Sequence, residues 1–253
     1  TGAGISTPSG IPDYRDNQGV RRGRQPMMYQ EFLSAPESRR RYWARAMLGW
    51  PRVRQARPNV AHDTLARLQS TRQISGLITQ NVDGLHDAAG SLNIVDLHGR
   101  IDTVRCMDCD KRSARADLQQ RLLALNPAWA QLYATPAPDG DADLENQDFS
   151  RFVVPACPHC GTGLIKPDVV FFGETVPRER VQTCMAAVAR ADAVLIAGSS
   201  LMVYSGYRFA LAAHEQGKSI VAINQGVTRA DALLDFKLEA DVGQVLMGLV
   251  EAS

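Results

Sequence analysis

The chain has 253 residues, of which 45% are hydrophobic and 22% charged, and its formal net charge is +1. This length can bury a substantial core in one large domain or in two, and the nearly neutral charge excludes a strong general attraction to nucleic acid. No apolar run approaches the ~18 residues that indicate a membrane span, and the first residues are small and polar, unlike a signal peptide. We therefore expect an intracellular protein that contacts neither a membrane nor nucleic acid directly.

The first predicted element is a glycine-rich loop, "TGAGISTPSGIPDYRD". Gly2, Gly4 and Gly10 give it a backbone whose N–H groups can approach a phosphate closely. The dinucleotide fingerprint of dehydrogenases needs a third glycine and, further along, an acidic residue. Thr7 stands at the third glycine position and the later region is rich in arginine. The loop therefore predicts a phosphate ligand bound in another manner, with an ordinary glycine-rich turn as the alternative.

Short apolar runs ending in small polar residues predict buried parallel strands at 75–81, 192–200 and 219–226. Helical patterns lie between them, at 59–70 after a predicted N-cap at Asn59, and at 205–217 ending at Gly217. Strands that alternate with helices predict an α/β fold with a Rossmann-like, doubly wound parallel sheet. Ligands of such sheets bind at the carboxyl ends of the strands.

Polar residues follow the first of these apolar runs and a further apolar run that comes after it. Gln80, Asn81 and Asp83 lie in the loop "TQNVDGLH", and their amide and carboxylate groups can bind ribose hydroxyls and a carboxamide. His98 ends the next apolar run, beside a glycine. This position favours a general base with a pKa near neutrality, although a lone histidine is often structural.

Four of the five cysteines form two Cys-x-x-Cys pairs, Cys106 with Cys109 and Cys157 with Cys160. Tetrahedral zinc takes four thiolates, and a two-residue gap lets one tight turn present two of them. We therefore predict one structural Zn²⁺, with redox pairs, free thiols and ligation by His159 as alternatives. Cys184 lies among apolar residues and is expected to be a buried small hydrophobe.

These segments predict three parts of the chain. Residues 1–26, 59–101 and 164–253 would form a Rossmann-like domain, 27–58 a basic, aromatic helical insertion, and 102–163 a smaller zinc-binding domain. Within the last, the acidic stretch 135–148 is predicted to be an exposed loop.

Taken in order, the motifs resemble the sirtuins, the NAD-dependent protein deacylases. The resemblance spans nearly the whole chain: "GAGIS", "GIPDYR", "TQNVDGLH", "LHG", the cysteine pairs, "KPDVVFFGE", "GSSLMVYSG" and "INQG". Details such as "RYWAR", "LGWP" and "GSSLMVYSGYRF" resemble the class II branch, which includes the sirtuin 4 type. Many sirtuins have proline where Ser205 stands. The chain also starts at Thr1, without the strand and helix that precede the glycine-rich loop in relatives, so we expect a truncated start.

The resemblance implies that NAD binds with its pyrophosphate at the glycine loop, its nicotinamide end at Gln80, Asn81 and Asp83, and its adenosine at the later strand ends. The implied NAD-binding residues are Gly2, Ala3, Gly4, Ile5, Pro12, Asp13, Tyr14, Arg15, Gln80, Asn81, Val82, Asp83, Gly198, Ser199, Ser200, Asn224, Gln225, Gly226 and Val242. The substrate is an acylated-lysine protein or peptide that adds as an extended strand. Its implied contacts are Val170, Phe171, Phe172, Gly173, Glu174, Val203 and Tyr204.

The implied reaction joins the acyl oxygen of a modified lysine to C1′ of the nicotinamide ribose and releases nicotinamide. His98 would act as general base on a ribose hydroxyl so that its 2′ oxygen attacks the acyl carbon, and water would then complete the transfer, giving free lysine and 2′-O-acyl-ADP-ribose. Tyr42 and Arg45 resemble a Tyr-x-x-Arg pair with which class III sirtuins bind acidic acyl chains. We hypothesise that they favour succinyl-like or glutaryl-like groups over acetyl, the alternative being that both only pack the helical insertion.

Three other functions remain open from the sequence. Mono-ADP-ribosyl transfer to a protein would use the same NAD site, a zinc-ribbon nucleic-acid binder would use the cysteines, and a silent NAD-sensing module would use neither His98 nor a substrate. Only four of the 28 basic residues are lysine, which is typical of GC-rich bacterial genomes and favours a cytoplasmic location.

Overall fold

The computed structural model describes residues 1–22, 25–132, 135–136, 142–144 and 147–251. Its helices are α1 (Tyr29–Ser34), α2 (Pro36–Gln55), α3 (Val60–Ser70), α4 (Leu85–Ala88), α5 (Arg115–Leu125), α6 (Arg178–Arg190), α7 (Tyr204–Glu215) and α8 (Val242–Glu251). Its strands are β1 (Leu77–Thr79), β2 (Ile94–Asp96), β3 (Gly99–Cys106), β4 (Arg112–Ala114), β5 (Thr135–Pro136), β6 (Ala142–Asp143), β7 (Ile165–Val169), β8 (Ala193–Ala197), β9 (Ser219–Ile223) and β10 (Phe236–Leu238). Of the helices in these ranges, none has the length and apolar character that crossing a membrane requires.

The chain divides into two compact units. The first comprises Thr1–Gly23, Ala56–His98 and Val176–Ser253, and the second comprises Arg24–Gln55 and Gly99–Thr175. The predicted helical insertion and the predicted zinc-binding segment both fall largely in the second unit. The finer division into three parts stays a prediction.

Parallel strands form the centre of the first unit, which confirms the α/β class. Strand β1 pairs with β2, and β9 lies between β8 and β10; each of these pairs is parallel. The three predicted strands are therefore present, but among the described residues they belong to two separate ladders rather than to one sheet. Residues 1–5 contact the ends of both ladders: Gln80 N, after β1, donates to Thr1 O at 3.0 Å, and Gly4 lies against Gly198, after β8. These residues form a 3-10 turn at Ala3–Ile5 and are not a strand of either ladder.

Helix α3 begins where the sequence predicts. The Asn59 side chain accepts a hydrogen bond from Ala61 N at 3.0 Å, and His62 Nδ1 accepts from Asn59 N, which completes a capping box. Asn59 Nδ2 also donates to Ile5 O at 2.9 Å. The apolar face of α3 then packs with α8 over the strands, in a core of Ile5, Ala61, Leu65, Leu68, Leu77, Ala197, Ile223, Val242 and Leu246.

The second unit is built on antiparallel strands. Strand β3 lies between β4 and β7, and α2 and α5 supply the apolar side chains packed against it. The buried Arg115 guanidinium lies over the rings of Trp43 and Trp50, at 5.3 and 4.9 Å from their centroids. Half of the predicted exposed loop at 135–148 lies outside the described residues. Its Ala142 and Leu144 are buried, so this part of that prediction is wrong, because both side chains join the apolar contacts of α2.

Candidate functional site

The glycine-rich loop approaches the end of β8 so closely that side chains do not fit. A Cβ atom at Gly2 would lie 2.6 Å from Ser199 Oγ, and one at Gly4 would lie 3.0 Å from Gly198 O. Two 3-10 turns, Ala3–Ile5 and Thr7–Ser9, compact the loop, and Gly10 ends the second with φ of 85°. Ile5 is only 1% exposed and belongs to the core. Its predicted role at the cofactor is therefore confined to its backbone.

Ser6 connects the two polar side chains that follow β1. Its hydroxyl donates to Asp83 Oδ2 at 2.7 Å and accepts from Asn81 Nδ2 at 3.0 Å. Asn81 Nδ2 also donates to Gly2 O at 3.0 Å. These contacts bring the glycine loop and the "TQNVDGLH" loop together and fix the amide and carboxylate that the sequence assigned to ribose and carboxamide binding. Val82 lies between them.

The side chain of Gln80 fills a space left by two glycines. Its Nε2 donates to Ser199 Oγ at 2.8 Å, while a Cβ atom at Gly206 would lie 2.4 Å from its Oε1 and one at Gly2 would lie 3.3 Å from its Nε2. Gln80 therefore packs between the glycine loop, the end of β8 and the first turn of α7. These contacts fix its position.

His98 follows β2, and each of its ring nitrogens has a partner. Nδ1 lies 3.0 Å from the backbone oxygen of Gln80, and Nε2 lies 2.8 Å from Ser205 Oγ. A carbonyl oxygen can only accept, so Nδ1 carries the hydrogen and Nε2 of the neutral ring is the proton acceptor. Burial lowers the pKa of His98, the Gln80 hydrogen bond opposes this shift, and the nearby charges of Arg180 and Arg208 add to it. Near neutral pH the ring is thus an uncharged base.

The remaining predicted NAD-binding residues lie at the ends of β8 and β9 or in the loop that follows the glycines. Gly226 has φ of 84°, and Val227 N donates to Asn17 O at 2.9 Å, which ties this loop to the end of β9. Asn224 is 7% exposed and donates to the carbonyls of Gln225 and Gly226. In the loop, Asp13 pairs with Arg22, Tyr14 O accepts from Arg22 N, and Arg15 donates to Gly19 O. After β8, Ser200 O accepts a hydrogen bond from Arg229 N. The last two predicted positions are Pro12, before the loop, and Val242, at the start of α8.

The four paired cysteines lie together in the second unit. Their sulfur atoms are all within 4.8 Å of one another, with Cys106 Sγ 3.7 Å from Cys160 Sγ and Cys109 Sγ 3.8 Å from Cys157 Sγ. Four sulfurs bound tetrahedrally to zinc at ~2.3 Å lie about 3.8 Å apart, so the spacing fits this ion. A Cβ atom at Gly163 would lie 2.2 Å from Cys106 Sγ, so glycine leaves room for the sulfurs. This cluster of the described residues contains no His159.

Cys184 is separate from that cluster. It lies in α6, is fully buried, and has a pKa raised to about 11 by its burial. The expectation of a small buried hydrophobe is confirmed.

Most of the predicted substrate residues follow β7, in the second unit. Phe171 packs against Tyr42 with ring centroids 5.2 Å apart, Phe172 O accepts from Tyr29 N at 2.9 Å, and Gly173 O accepts from Gln30 Nε2 at 3.3 Å. Glu174 accepts from Phe171 N and pairs with Lys166 at 3.0 Å. Val170 is half-buried, and Arg45 Nε donates to Ala142 O at 2.9 Å. Val203 and Tyr204 belong to the first unit and are exposed, at 38% and 52%.

The sequence model of one protein family, described as the Sir2 family, matches residues 2–205 of this chain. The chain belongs to the Sir2 family. The NAD-dependent protein deacetylase of Bordetella bronchiseptica is 59% identical over 250 residues, which cover 99% of this chain and 91% of that protein. The protein of the same name from Xanthomonas campestris pv. campestris is 57% identical over 246 residues, covering 97% of this chain and 84% of that one.

Solved structures of Sir2 proteins show the same fold. One with a p53 peptide and NAD⁺ is 31% identical, has a TM-score of 0.75, and covers 99% of this chain and 90% of its own. Another, bound to a propionylated peptide, is also 31% identical, with a TM-score of 0.74 and the same coverage. The sirtuin fold predicted from the motifs is therefore confirmed.

The site of this Sir2 family member also contains residues that the sequence analysis did not assign. Ser6 joins Asn81 to Asp83, Gly206 makes room for Gln80, and Ser205 contacts His98. Ser6 ends the "GAGIS" motif and Ser205 lies in "GSSLMVYSG", but the sequence assigned neither side chain a contact. Their contacts join positions between 75 and 126 residues apart in the sequence, for example Ser6 with Asn81 and Gly206 with Gln80, so no local pattern indicates them.

Proposed function

We propose that this NAD-dependent protein deacetylase removes the acyl group from a lysine of a protein substrate, transfers it to ADP-ribose and releases nicotinamide, with His98 as its general base. The names of the Bordetella and Xanthomonas relatives support the activity, since the identity extends over nearly the whole chain. The observation that carries the mechanism is the orientation of His98. Its Nδ1 is held by Gln80 O, so Nε2 is the nitrogen that accepts a proton.

The residues of the first unit fit NAD. Close approach of a pyrophosphate needs backbone without side chains, and Gly2, Gly4 and Gly198 lie where a Cβ atom does not fit. Asn81 and Asp83 offer an amide and a carboxylate for ribose hydroxyls and for the nicotinamide carboxamide. When bound, NAD supplies the glycosidic bond that breaks and the ribose that takes the acyl group.

In this mechanism the protein orients groups and moves one proton. His98 Nε2 accepts the proton of a ribose hydroxyl, and the Gln80 carbonyl stabilises the imidazolium through Nδ1–H. Such a base contributes about 10² to 10⁴ in rate. Gln80 and Asn81 hold the ribose in reach, and their own partners, Ser199 and Ser6, fix both side chains in advance.

The four cysteines would hold one structural Zn²⁺. With all four positions of the ion occupied by sulfur, the metal stabilises the second unit and takes no part in the reaction.

The finer assignment is the class II, sirtuin 4 type branch, with a preference for acidic acyl groups. The "RYWAR" and "GSSLMVYSGYRF" motifs support the branch. Tyr42 and Arg45, one helical turn apart on α2, support the preference through a hydroxyl and a guanidinium. A Tyr42→Phe variant keeps the ring packed on Phe171 and removes only the hydroxyl. It should lower the ratio of kcat/KM for succinyl-peptide to that for acetyl-peptide, and a clear acetyl preference of the wild type would contradict the assignment.

The location that we propose is the cytoplasm of a bacterium. The scarcity of lysine relative to arginine and the bacterial origin of the relatives support it. Fractionation of the native host with an antibody to this chain would test it.

The decisive experiment is a panel of acyl-lysine peptides incubated with NAD, with nicotinamide and O-acyl-ADP-ribose measured by mass spectrometry. We expect both products from the wild type and almost none from His98→Ala, while NAD binding by calorimetry is largely retained. Gain of ADP-ribose on the peptide without loss of the acyl group would instead support mono-ADP-ribosyl transfer. NAD binding with no turnover would support a sensing module, and salt-dependent DNA binding without NAD consumption a nucleic-acid binder.

A further inference from the structure

Ser205 contacts the nitrogen of His98 that has to accept a proton. It is the second residue of α7, and its hydroxyl oxygen lies 2.8 Å from His98 Nε2. Because Nδ1–H of the neutral ring donates to Gln80 O, Nε2 has only a lone pair to offer. The Ser205 hydroxyl is therefore the donor in this contact.

We propose that Ser205 is a positioning residue for His98. Its hydroxyl holds the ring in place by donating to Nε2 and occupies the place that a ribose hydroxyl takes over during the reaction, while Gln80 O selects the tautomer. This inference rests on the proposed role of His98 as general base.

The surroundings of His98 make this contact important. The ring is half-buried, and an acceptor that water reaches poorly is destabilised when it has no donor. The charged groups that act on it are Arg180 from α6 and Arg208 from α7, both positive, so they also disfavour a second proton on the ring. On the side of the loop after β1, the neighbour is the uncharged backbone of Gln80. These surroundings therefore favour an uncharged hydrogen-bond donor at Nε2, such as the Ser205 hydroxyl.

The first turn of α7 supports both contacts of His98. Ser205 supplies the donor for Nε2, and Gly206, the next residue, leaves the space that the Gln80 side chain occupies. Gln80 in turn provides the carbonyl for Nδ1. Adjacent residues of one turn therefore set the direction of the ring from both sides.

The first test measures the histidine itself, without NAD. The chain has five histidines, so long-range ¹H–¹⁵N correlation spectra of labelled protein are simple enough to assign, with His98→Gln identifying the His98 signals. We expect a protonated Nδ1 and an unprotonated Nε2 in the wild type. In Ser205→Ala Nδ1 should stay protonated, because Gln80 O still accepts from it, while the Nε2 signal should move to that of an acceptor without a donor. The pKa of His98 should fall, because the serine hydroxyl can also accept from Nε2–H of the charged ring, and hydrogen bonds to charged groups are the stronger ones. Ser205→Thr should restore the wild-type spectrum, and Ser219→Ala, an exposed serine in β9, should leave it unchanged.

The second test is the pH profile of kcat/KM for NAD, which reports the free enzyme. In Ser205→Ala the acidic limb should move to lower pH by up to about one unit, with kcat on the plateau within about twofold of wild type because His98 is still present. A purely structural role would lower activity equally at all pH values. If wild type and Ser205→Ala share one spectrum and one acidic limb, the inference is wrong. If the wild type shows no NAD-dependent deacylation, the proposed function fails, whereas the spectra still decide whether Ser205 orients His98.

Discussion

The backbone of Asn17 lies against Gly226, so close that a Cβ atom at position 226 would lie 2.1 Å from the Asn17 carbonyl oxygen. Through this contact the loop after the glycine motif is attached to the end of β9. Both belong to the predicted NAD site. Gly226 thus has two constraints, a left-handed backbone and a near neighbour, and these can be separated experimentally.

Gly226→Ala should destabilise the protein more than Gly90→Ala. Both glycines have nearly the same φ, 84° and 85°, but nothing lies within 4 Å of a Cβ atom at Gly90. Left-handed backbone costs roughly 1–2 kcal/mol for a residue with a side chain, and this cost alone is expected at position 90. At position 226 the loop must also move, so NAD affinity should fall. Equal unfolding free energies of the two variants in urea would contradict this account.

A methyl group at position 206 should weaken NAD binding. In Gly206→Ala the added Cβ atom would lie 2.4 Å from Gln80 Oε1, so the Gln80 side chain must leave Ser199. We expect the Kd for NAD to rise about tenfold, which corresponds to ~1.4 kcal/mol. Calorimetry would measure it. Gly248→Ala is the matched control, since no atom lies within 4 Å of its Cβ position in α8 and alanine favours a helix. An unchanged Kd in Gly206→Ala would show that Gln80 is not needed in its present position.

Purified protein should contain one zinc per chain, and the cysteine cluster should account for it. Cys106→Ser replaces one of four thiolates and should lose most of the metal together with the stability of the second unit. Cys184→Ala changes a cysteine outside the cluster and should keep the full metal content. Metal analysis by mass spectrometry and thermal unfolding before and after a chelator would check both. Zinc retained by Cys106→Ser would contradict the assignment.

Stability should fall in mild acid because of a buried histidine. His86 is 2% exposed, and burial and the neighbouring His62 lower its pKa to about 3. In the unfolded chain the pKa is about 6.5, so below this pH the unfolded state binds the proton first. The stabilisation is therefore complete above about pH 6.5 and is lost toward pH 3, at up to ~1.4 kcal/mol per pH unit.

The variant His86→Phe keeps an aromatic ring but cannot bind a proton, so its unfolding free energy should depend less on pH between 6.5 and 4.5. His214→Gln, an exposed position in the last turn of α7, should retain the wild-type slope. Urea titrations at several pH values would measure these slopes. Parallel curves for His86→Phe and the wild type would rule out His86 as the source.

Local signals were sufficient to predict much of this molecule. Asn59 caps α3, Gly217 follows α7, and the three apolar runs are parallel strands, because caps and buried strands depend on nearby residues. The cysteine cluster was predictable because two short spacings set its geometry. The division of the parallel strands into two ladders was not, since pairing between strands distant in sequence leaves no local signal.

The site was predicted in its glycine-rich loop and in its polar residues at strand ends. The partners that orient them are distant in sequence and have no periodicity. Ser205 and Gly206 come to His98 and Gln80 only because α7 starts beside the end of β1. Likewise, the sequence placed Tyr42 and Arg45 on one helix face but gave no sign that Tyr42 packs on Phe171 or that Arg45 bonds to Ala142.

The Asn59 side chain performs two tasks with one amide group. Its oxygen caps α3, while its nitrogen donates to Ile5 O and to Ser9 Oγ at 2.9 and 2.8 Å, on the predicted phosphate loop. Opening of that loop therefore releases the nitrogen that steadies the helix cap. Amide hydrogen exchange at the first turn of α3 would then follow the opening and closing of the loop, so this turn acts as an internal reporter of ligand entry.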